Sequence, residues 1–174
     1  MKGERIIGFA VIALMLVGCA KTGPQIPSQR KGSVAAPDSA QLALLSLNQH
    51  LAETADEQLR LIVQTQEEPY ALYEANTWMT VIDRGDETGG SPQDNEEWTV
   101  KMRIYDLNGQ LLMDSERSYR IGKKELPQGV DENIGNLYRN GKARLFVPWY
   151  AAFGVTGTND IAPYENVMIE IELR

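Results

Sequence analysis

The sequence predicts an α+β domain in which an antiparallel sheet wraps around one short helix, with a long amphipathic helix preceding it. In the segment 38–69, apolar residues recur three or four positions apart, which is the spacing of one face of an α-helix. After residue 70, most segments alternate between apolar and polar residues, which is typical of half-buried strands. Residues 131–139 predict a short helix that ends at Asn140 and Gly141, a favourable C-terminal cap pair. Strands that cover a single helix form an α+β domain.

The long helix has recognisable start and stop signals. Asp38 is placed as an N-cap with Gln41 in the first turn, and Pro69 cannot continue a helix. His50 lies beside the stripe with no second histidine in the chain, so we expect a solvated or packed side chain and not a catalyst. The apolar stripe of this helix has three candidate roles, namely packing on the following domain, dimerisation with a second copy or binding of a client protein. The pattern alone does not distinguish them. The members of the stripe are Leu44, Leu47, Leu51, Ala55, Leu59 and Ile62.

Five segments after residue 70 are predicted strands. Asn108 and Gly109 separate the second from the third and indicate a hairpin. Residues 85–95 form a polar connection, and the strands together predict a two-layer antiparallel sheet. The segments are residues 77–82, 98–105, 111–113, 143–147 and 167–173.

Composition excludes several classes of protein. The chain has 17 Lys and Arg against 24 Asp and Glu, a net charge of -7, and therefore lacks the basic surface that nucleic-acid binding requires. A single Cys and a single His exclude a disulfide scaffold and a zinc site built from Cys and His ligands. We expect no nucleic-acid partner, no metal and no cofactor.

Residues 1–18 have the pattern of a secretory signal. Lys2 and Arg5 form a basic start, and the apolar run at 6–17 is shorter than the roughly 20 residues that a membrane-spanning helix needs. The Leu-Val-Gly triplet at 16–18, followed by Cys19, resembles the bacterial lipobox. The resemblance implies that residues 1–18 are removed and that Cys19 is lipidated as the new N-terminus.

The segment 19–37 predicts a lipidated flexible tether. It is rich in Lys, Thr, Gly, Pro, Gln and Ser and has no hydrophobic periodicity. Ala20, the residue after the cysteine, is not an acidic signal for retention in the inner membrane. We therefore expect a lipid-anchored protein of the bacterial cell envelope, in the outer membrane and facing the periplasm, with display on the cell surface as the alternative.

The second half of the chain contains several short motifs. Residues 147–154 read Val-Pro-Trp-Tyr-Ala-Ala-Phe-Gly, followed by Ile-Ala-Pro at 161–163 and a final Glu-Leu at 172–173. Upstream lie Asn-Gly at 108–109, Met-Asp-Ser at 113–115, Tyr-Arg-Ile-Gly at 119–122 and the segment 131–141, which includes the predicted short helix. In this order the motifs resemble the FKBP-type peptidyl-prolyl cis-trans isomerase family, and the resemblance covers about residues 78–173. It implies an FKBP-like half-barrel at 70–174 that isomerises or binds X–Pro bonds in exported, proline-containing polypeptides.

The resemblance also implies a prolyl-binding pocket. Asp114 matches the pocket aspartate of the family, and Tyr119 falls where the family has an aromatic wall. Taken singly, residues such as Leu126, Val130, Phe153 and Ile169 more often belong to the core of a half-barrel than to a site. The nine residues are Met113, Asp114, Tyr119, Leu126, Pro127, Val130, Phe153, Ile161 and Ile169.

Four pocket positions depart from the family pattern. Met113 replaces a phenylalanine, and Val130 stands where the floor tryptophan would be. Phe153 lacks the hydroxyl of the family tyrosine, and Ile169 replaces an aromatic residue. A tyrosine of an early strand is also replaced, because residue 102 or 104 falls there and Tyr105 is only nearby. These departures predict weak catalysis, or a non-catalytic binding or assembly module that kept the fold.

Overall fold

The computed structural model describes residues 38–174. The predicted signal segment 1–18, the lipidation site Cys19 and the tether at 19–37 lie outside the described residues. No helix among residues 38–174 contains a stretch long and apolar enough to cross a membrane.

The first element is a long helix, α1 (Ser39–Val63). It begins directly after Asp38, where the cap signal predicts, but ends at Val63, well before Pro69. After Val63 the backbone hydrogen bonds shorten from four to three residues, with Thr65 N donating to Ile62 O and Gln66 N donating to Val63 O. Such bonds tighten the last turn of a helix. The chain then reverses toward the sheet, and this turn ends the helix earlier than the proline would.

The strands form one open sheet with the order β1-β2-β5-β6-β3-β4, and all neighbours are antiparallel. The expectation of two sheet layers is therefore wrong, since the other layers are helical. β4 is also much longer than the predicted segment 111–113. The prediction missed its second half because that half is mostly polar and exposed at the sheet edge. The strands are β1 (Ala71–Leu72), β2 (Trp78–Asp83), β3 (Glu97–Tyr105), β4 (Leu111–Arg120), β5 (Lys142–Val147) and β6 (Val167–Leu173).

The predicted hairpin joins β3 to β4 and is confirmed. The Asp106 carboxylate accepts hydrogen bonds from the backbone N–H groups of Asn108, at 2.9 Å, and Gln110, at 2.7 Å. Gly109 has φ +86°, a conformation that favours glycine. The turn sets a register that runs from Tyr105 opposite Leu111 to the far end of both strands.

The helix predicted at 131–139 is replaced by two shorter pieces. They are α2 (Gln128–Asp131) and a 3₁₀ turn (Ile134–Asn136). Asn133 lies between them, and its amide donates to Gly129 O at 2.7 Å and to Glu74 O at 3.1 Å. This side chain competes with regular helical bonding and ties the segment to the turn before β2.

The sheet is covered on both faces. On one face, residues from the strands pack against Val130, Ile134 and Leu137, all of them fully buried. On the other face, Leu59 and Val63 of α1 pack on Phe146 and its neighbours. The main core includes Met79, Val100, Ile104, Leu145, Ile169 and Leu173.

Only the second half of α1 packs on the sheet. Leu59 is fully buried, whereas Leu44 is 61% exposed and Leu47 is 52% exposed. All residues from 38 to 50 are exposed, because the helix extends beyond the edge of the structure that it covers. The predicted packing of the stripe therefore holds for its later members alone.

Candidate functional site

A cavity of about 470 Å³ opens beside the edge strand β4. Its walls come from β3, β4, the segment that leads into α2 and the segment that follows β5. It lies on the face of the sheet that carries the main core, since Met102 and Tyr119 belong to both. The lining residues are Met102, Met113, Ser115, Arg117, Tyr119, Lys124, Glu125, Leu126, Pro127, Ala152, Phe153 and Thr158.

Strand alternation builds the first wall. Met113, Ser115, Arg117 and Tyr119 are alternate residues of β4 and therefore share one face. Met102 of β3 lies opposite Ser115 in the register and lines the same cavity. The wall is thus a cross-strand patch of two thioethers, a phenol, a hydroxyl and a guanidinium.

The second wall is carried by two short segments. Leu126 and Pro127 lead into α2, and both are buried. Ala152 and Phe153 follow a 3₁₀ turn at Trp149–Ala151 and are half-buried. The bend of this turn is held by the backbone, since Gly154 N donates to Trp149 O at 2.8 Å.

The structure brings five of the nine predicted pocket residues to this cavity. Val130 is 0% exposed, Ile161 1% and Ile169 0%, and these three lie in the main core instead of on the cavity wall. The five that line the cavity are Met113, Tyr119, Leu126, Pro127 and Phe153.

Asp114 is not brought to the cavity. Its side chain is exposed, and its Cα lies opposite that of Arg103 in the register of β3 and β4. The reason is the strand period, because Met113 and Ser115 face the cavity and the residue between them must face the other way. Ser115 occupies the polar position of the wall that the motif assigned to Asp114.

The structure also distinguishes the residues near the predicted early-strand position. Met102 lines the cavity, whereas Ile104 is fully buried in the core. Tyr105 lies on the opposite face, where its hydroxyl donates to the Glu170 carboxylate at 3.3 Å. Partial burial and the nearby negative charge raise the pKa of Tyr105 above its ordinary value.

Sequence reasoning missed Ser115 and Arg117. The Ser115 hydroxyl is enclosed and has no hydrogen-bond partner among the described residues. The Arg117 guanidinium lies 4.6 Å from the centre of the Tyr119 ring, a cation–π contact. The signal that would have found both is the period of two, because Met113 and Tyr119 on the wall place residues 115 and 117 beside them.

The turn that carries Phe153 is attached to α1. The Tyr150 hydroxyl donates to the Asp56 carboxylate, and the Asn76 amide donates to the Tyr150 hydroxyl at 3.0 Å. Partial burial, with Asp56 adjacent, raises the pKa of Tyr150 to about 12. Trp149 Nε1 donates to the carbonyl of Leu51 at 3.5 Å. One side of the cavity is therefore held in place by the long helix.

A second pair of contacts strengthens this attachment. Trp149 N donates to Asn166 Oδ1 at 2.8 Å, and Asn166 Nδ2 donates to Gln58 Oε1 at 2.9 Å. Asn166 is buried, and its bond to Trp149 N forms away from solvent, whereas its bond to the exposed Gln58 is only partly buried. The amide thus joins the turn before Phe153, the start of β6 and α1.

The arrangement can bind an apolar side chain and hold a backbone segment. It contains no histidine and no thiol, and the one carboxylate on its wall, Glu125, accepts a hydrogen bond from Arg120 N at 2.9 Å. Within residues 38–174, no three His, Cys, Asp or Glu side chains converge in a way that could hold a metal ion. The cavity therefore acts on a bound ligand through its shape and through the removal of water from the ligand.

The solved structures that share this fold include the following three. The peptidyl-prolyl cis-trans isomerase from Pseudomonas syringae pv. tomato matches with a TM-score of 0.58 and 24% identity over 70% of this chain and 92% of that chain. FkpA from Escherichia coli matches with a TM-score of 0.60 and 19% identity over 78% of this chain and 63% of that chain. AtFKBP13 matches with a TM-score of 0.55 and 18% identity over 61% of this chain and 97% of that chain. At these identities, the likeness shows the fold.

A family model also matches part of the sequence. Residues 89–174, which span β3 to β6 and the whole cavity, match the model described as FKBP-type peptidyl-prolyl cis-trans isomerase. No curated protein sequence gives a significant match. The predicted α+β fold and the family resemblance are both confirmed, and the part of the chain at residues 89–174 belongs to the FKBP-type peptidyl-prolyl cis-trans isomerase family.

Proposed function

We propose that this protein is a lipid-anchored peptidyl-prolyl isomerase that acts as a folding helper for exported proteins. The cavity beside β4 takes the proline ring. The observation that carries this proposal is the convergence of the apolar or aromatic side chains of Tyr119, Leu126, Pro127 and Phe153, from three separate segments, on one cavity of about 470 Å³. Membership of the isomerase family supports the reaction class.

The chemistry of X–Pro rotation suits such a cavity. Amide resonance sets a barrier of about 18–20 kcal/mol, and rotation breaks no covalent bond. No nucleophile or general base is therefore needed. A wall that binds the twisted amide better than either planar isomer lowers the barrier by differential binding, and exclusion of water contributes to this preference.

Catalysis is weak because the cavity lacks a rigid aromatic floor and a tyrosine hydroxyl. Val130 lies beneath other core residues, and Met102 and Met113 provide flexible thioether surfaces instead of a flat ring. Phe153 offers no donor, and a typical hydrogen bond contributes about 0.5–1.5 kcal/mol net. The same observation favours a second candidate, a catalytically inactive FKBP-like binding or assembly lipoprotein.

Isomerisation is tested by NMR exchange of a proline-containing peptide, which needs no coupling protease. The purified full chain should accelerate exchange, and Phe153→Ala should reduce the acceleration by roughly tenfold, equivalent to about 1.4 kcal/mol. Val155→Ala is the matched control, because Val155 lies in the same loop, is 51% exposed and does not line the cavity. A rate equal to the buffer blank for folded wild type would reject the enzyme and leave the binding module.

The lipid anchor is supported by the sequence pattern that ends at Cys19. The intact mass of the protein from bacterial membranes should correspond to a chain that starts at Cys19 and carries acyl groups. Cys19→Ala should leave the protein unprocessed and without acyl groups, whereas Ser33→Ala should behave as wild type. Separation of inner and outer membranes then tests the proposed outer-membrane, periplasm-facing location. A non-acylated wild-type chain would contradict the anchor.

The protein forms a homodimer through the first half of α1. Leucines cover much of the helix circumference there, and such a helix is normally covered. A second copy offers the same leucines and no added charge. The exposed leucines are Leu42, Leu44, Leu45 and Leu47, each at least 52% exposed.

Sedimentation velocity of the full chain tests the homodimer. Wild type should sediment as a dimer, and the double variant Leu44→Glu with Leu47→Glu as a monomer. Ser46→Glu adds a charge in the same segment, away from the stripe, and should leave the dimer intact. A monomeric wild type at about 100 μM would exclude this interface.

A further inference from the structure

Arg117 presents an unpaired guanidinium at the cavity. It is exposed on the wall formed by β4, and it makes no ion pair within the described residues. By contrast, Arg103 and Arg144 on the other face of the sheet both pair with Glu170 at 3.0 Å. Arg117 is therefore available to an incoming carboxylate.

The guanidinium is oriented before any ligand arrives. It lies over Tyr119 with 4.6 Å between the guanidinium carbon and the ring centre. A carboxylate can accept two parallel hydrogen bonds from the planar edge of a guanidinium. Because the stack already restricts the long side chain, less conformational entropy is lost on binding than for a free arginine.

The cavity carries a local positive charge, although the protein as a whole is acidic. The whole chain carries -7, yet the cavity wall carries Arg117 and Lys124 against one carboxylate, Glu125. Glu125 already accepts a hydrogen bond from Arg120 N at 2.9 Å. The mouth is thus a small cationic region on an acidic molecule.

The distances suit a residue next to the bound proline. Alternate residues of a strand are separated by about 6.8 Å, so Arg117 lies roughly that far from Ser115 and from Tyr119. Consecutive Cα atoms of a bound peptide are about 3.8 Å apart, and an aspartate or glutamate side chain adds further reach. A proline against Tyr119 therefore brings its neighbour within reach of Arg117.

We propose that the cavity selects X–Pro segments with an aspartate or glutamate adjacent to the proline, and that Arg117 is the residue that determines this specificity. The inference rests on the proposed function, since it places the proline in the apolar part of the same cavity. The carboxylate pairs with the stacked guanidinium, and Lys124 adds a weaker attraction.

The test compares peptides that differ only at the residue next to proline, before it in one series and after it in the other. Glutamate, glutamine and lysine are placed at that position, and kcat/KM is measured by NMR exchange with the full chain. In at least one series, glutamate should exceed glutamine by about two- to fivefold at low salt, with lysine the poorest. The preference should shrink at about 0.5 M NaCl, where exposed charges are screened.

Variants assign the preference to one residue. Arg117→Gln should bring the glutamate-to-glutamine ratio close to one. Arg120→Gln is the matched control, because it removes the same charge from the same strand but on the opposite face, and its ratio should stay at the wild-type value. Equal kcat/KM for glutamate and glutamine peptides in wild type would overturn the inference while leaving the isomerase intact.

A binding measurement separates this inference from the proposed activity. The same peptides are titrated into the full chain, and the affinity is read from NMR shifts of the Tyr119 and Phe153 rings. An inactive protein that still binds the glutamate peptide more tightly than the glutamine peptide rejects the enzyme and retains the specificity. An inactive protein that binds neither peptide rejects both.

Discussion

The hydroxyl of Tyr150 donates a hydrogen bond to the carboxylate of Asp56, and this contact joins α1 to the turn that carries one wall of the cavity. The two residues are 94 positions apart in the chain. Because Phe153 follows the same turn, the position of the cavity wall depends on how α1 is packed. The following four predictions test the elements that hold the cavity.

Tyr150→Phe should destabilise the protein by about 1–2 kcal/mol, since it removes the hydrogen bond to Asp56. The pKa of Tyr150 is raised from 10 to about 12, so the fold favours the protonated hydroxyl. The added stability is therefore complete below pH 10 and is lost as the pH rises through 12. Urea unfolding of both proteins should give a constant difference from pH 7 to 10 and a shrinking one above it.

Tyr73→Phe serves as the control for this measurement, because Tyr73 is 37% exposed and makes no side-chain hydrogen bond in the described part of the chain. Its stability should match wild type throughout. A wild-type advantage over Tyr150→Phe that persists undiminished at pH 12 would contradict the role given to the hydroxyl.

Gly129→Ala should destabilise the protein by about 1–3 kcal/mol through overpacking beneath α2. A Cβ at Gly129 would lie 2.5 Å from Thr77 Oγ1 and 2.6 Å from a Val147 methyl, both in the buried interior. Gly135→Ala is the matched control, since a Cβ there meets only a carbonyl oxygen at 3.6 Å. Thermal unfolding compares the two variants. Equal melting temperatures would contradict the predicted overpacking at Gly129.

Ser115→Ala should stabilise the protein by about 1 kcal/mol. The Ser115 hydroxyl is enclosed without a partner among residues 38–174, and an unpaired buried polar group costs about 1–3 kcal/mol. Ser118→Ala is the control on the same strand, because its hydroxyl shares an exposed 3.2 Å hydrogen bond with Thr99 and should change little. Urea unfolding measures both, and a clear loss of stability in Ser115→Ala would mean that the hydroxyl is satisfied in solution.

Asn166→Ala should destabilise the protein by about 2–3 kcal/mol, because it removes one buried and one partly buried hydrogen bond and leaves Trp149 N unpaired. Amide exchange should accelerate in the turn at 149–153 more than in β3. Gln58→Ala removes only the bond to α1 and should give the smaller part of the effect. Uniform acceleration across the sheet would argue against a local attachment of the turn.

Local patterns predicted much of the fold. The start of α1 after Asp38 and the hairpin at Asn108 and Gly109 depend on neighbouring residues, and both lie where expected. β6 also spans the predicted residues, because its alternation is unbroken and both of its neighbours pair with it. The end of α1 was missed, since a turn toward the sheet stops it before Pro69 does.

The family motifs predicted the region of the chain that forms the cavity but not every side chain that lines it. Tyr119 and Phe153 lie on the cavity, while Val130 and Ile169 are enclosed by the core. An apolar residue has the same appearance in the sequence whether it lines a cavity or fills the interior. Only the packing of its neighbours distinguishes the two.

Composition, local spacing and motifs were enough to establish the α+β class, the family resemblance and the exclusion of a nucleic-acid site, because each depends on residue type or on neighbours in the chain. Which face of β4 meets the cavity depends on pairing with β3, where a shift of one residue exchanges the two faces. That register placed Asp114 on the opposite face and placed Ser115 and Arg117 on the face that lines the cavity. The attachment of α1 to the cavity wall likewise arises only when residues far apart in the chain are packed together.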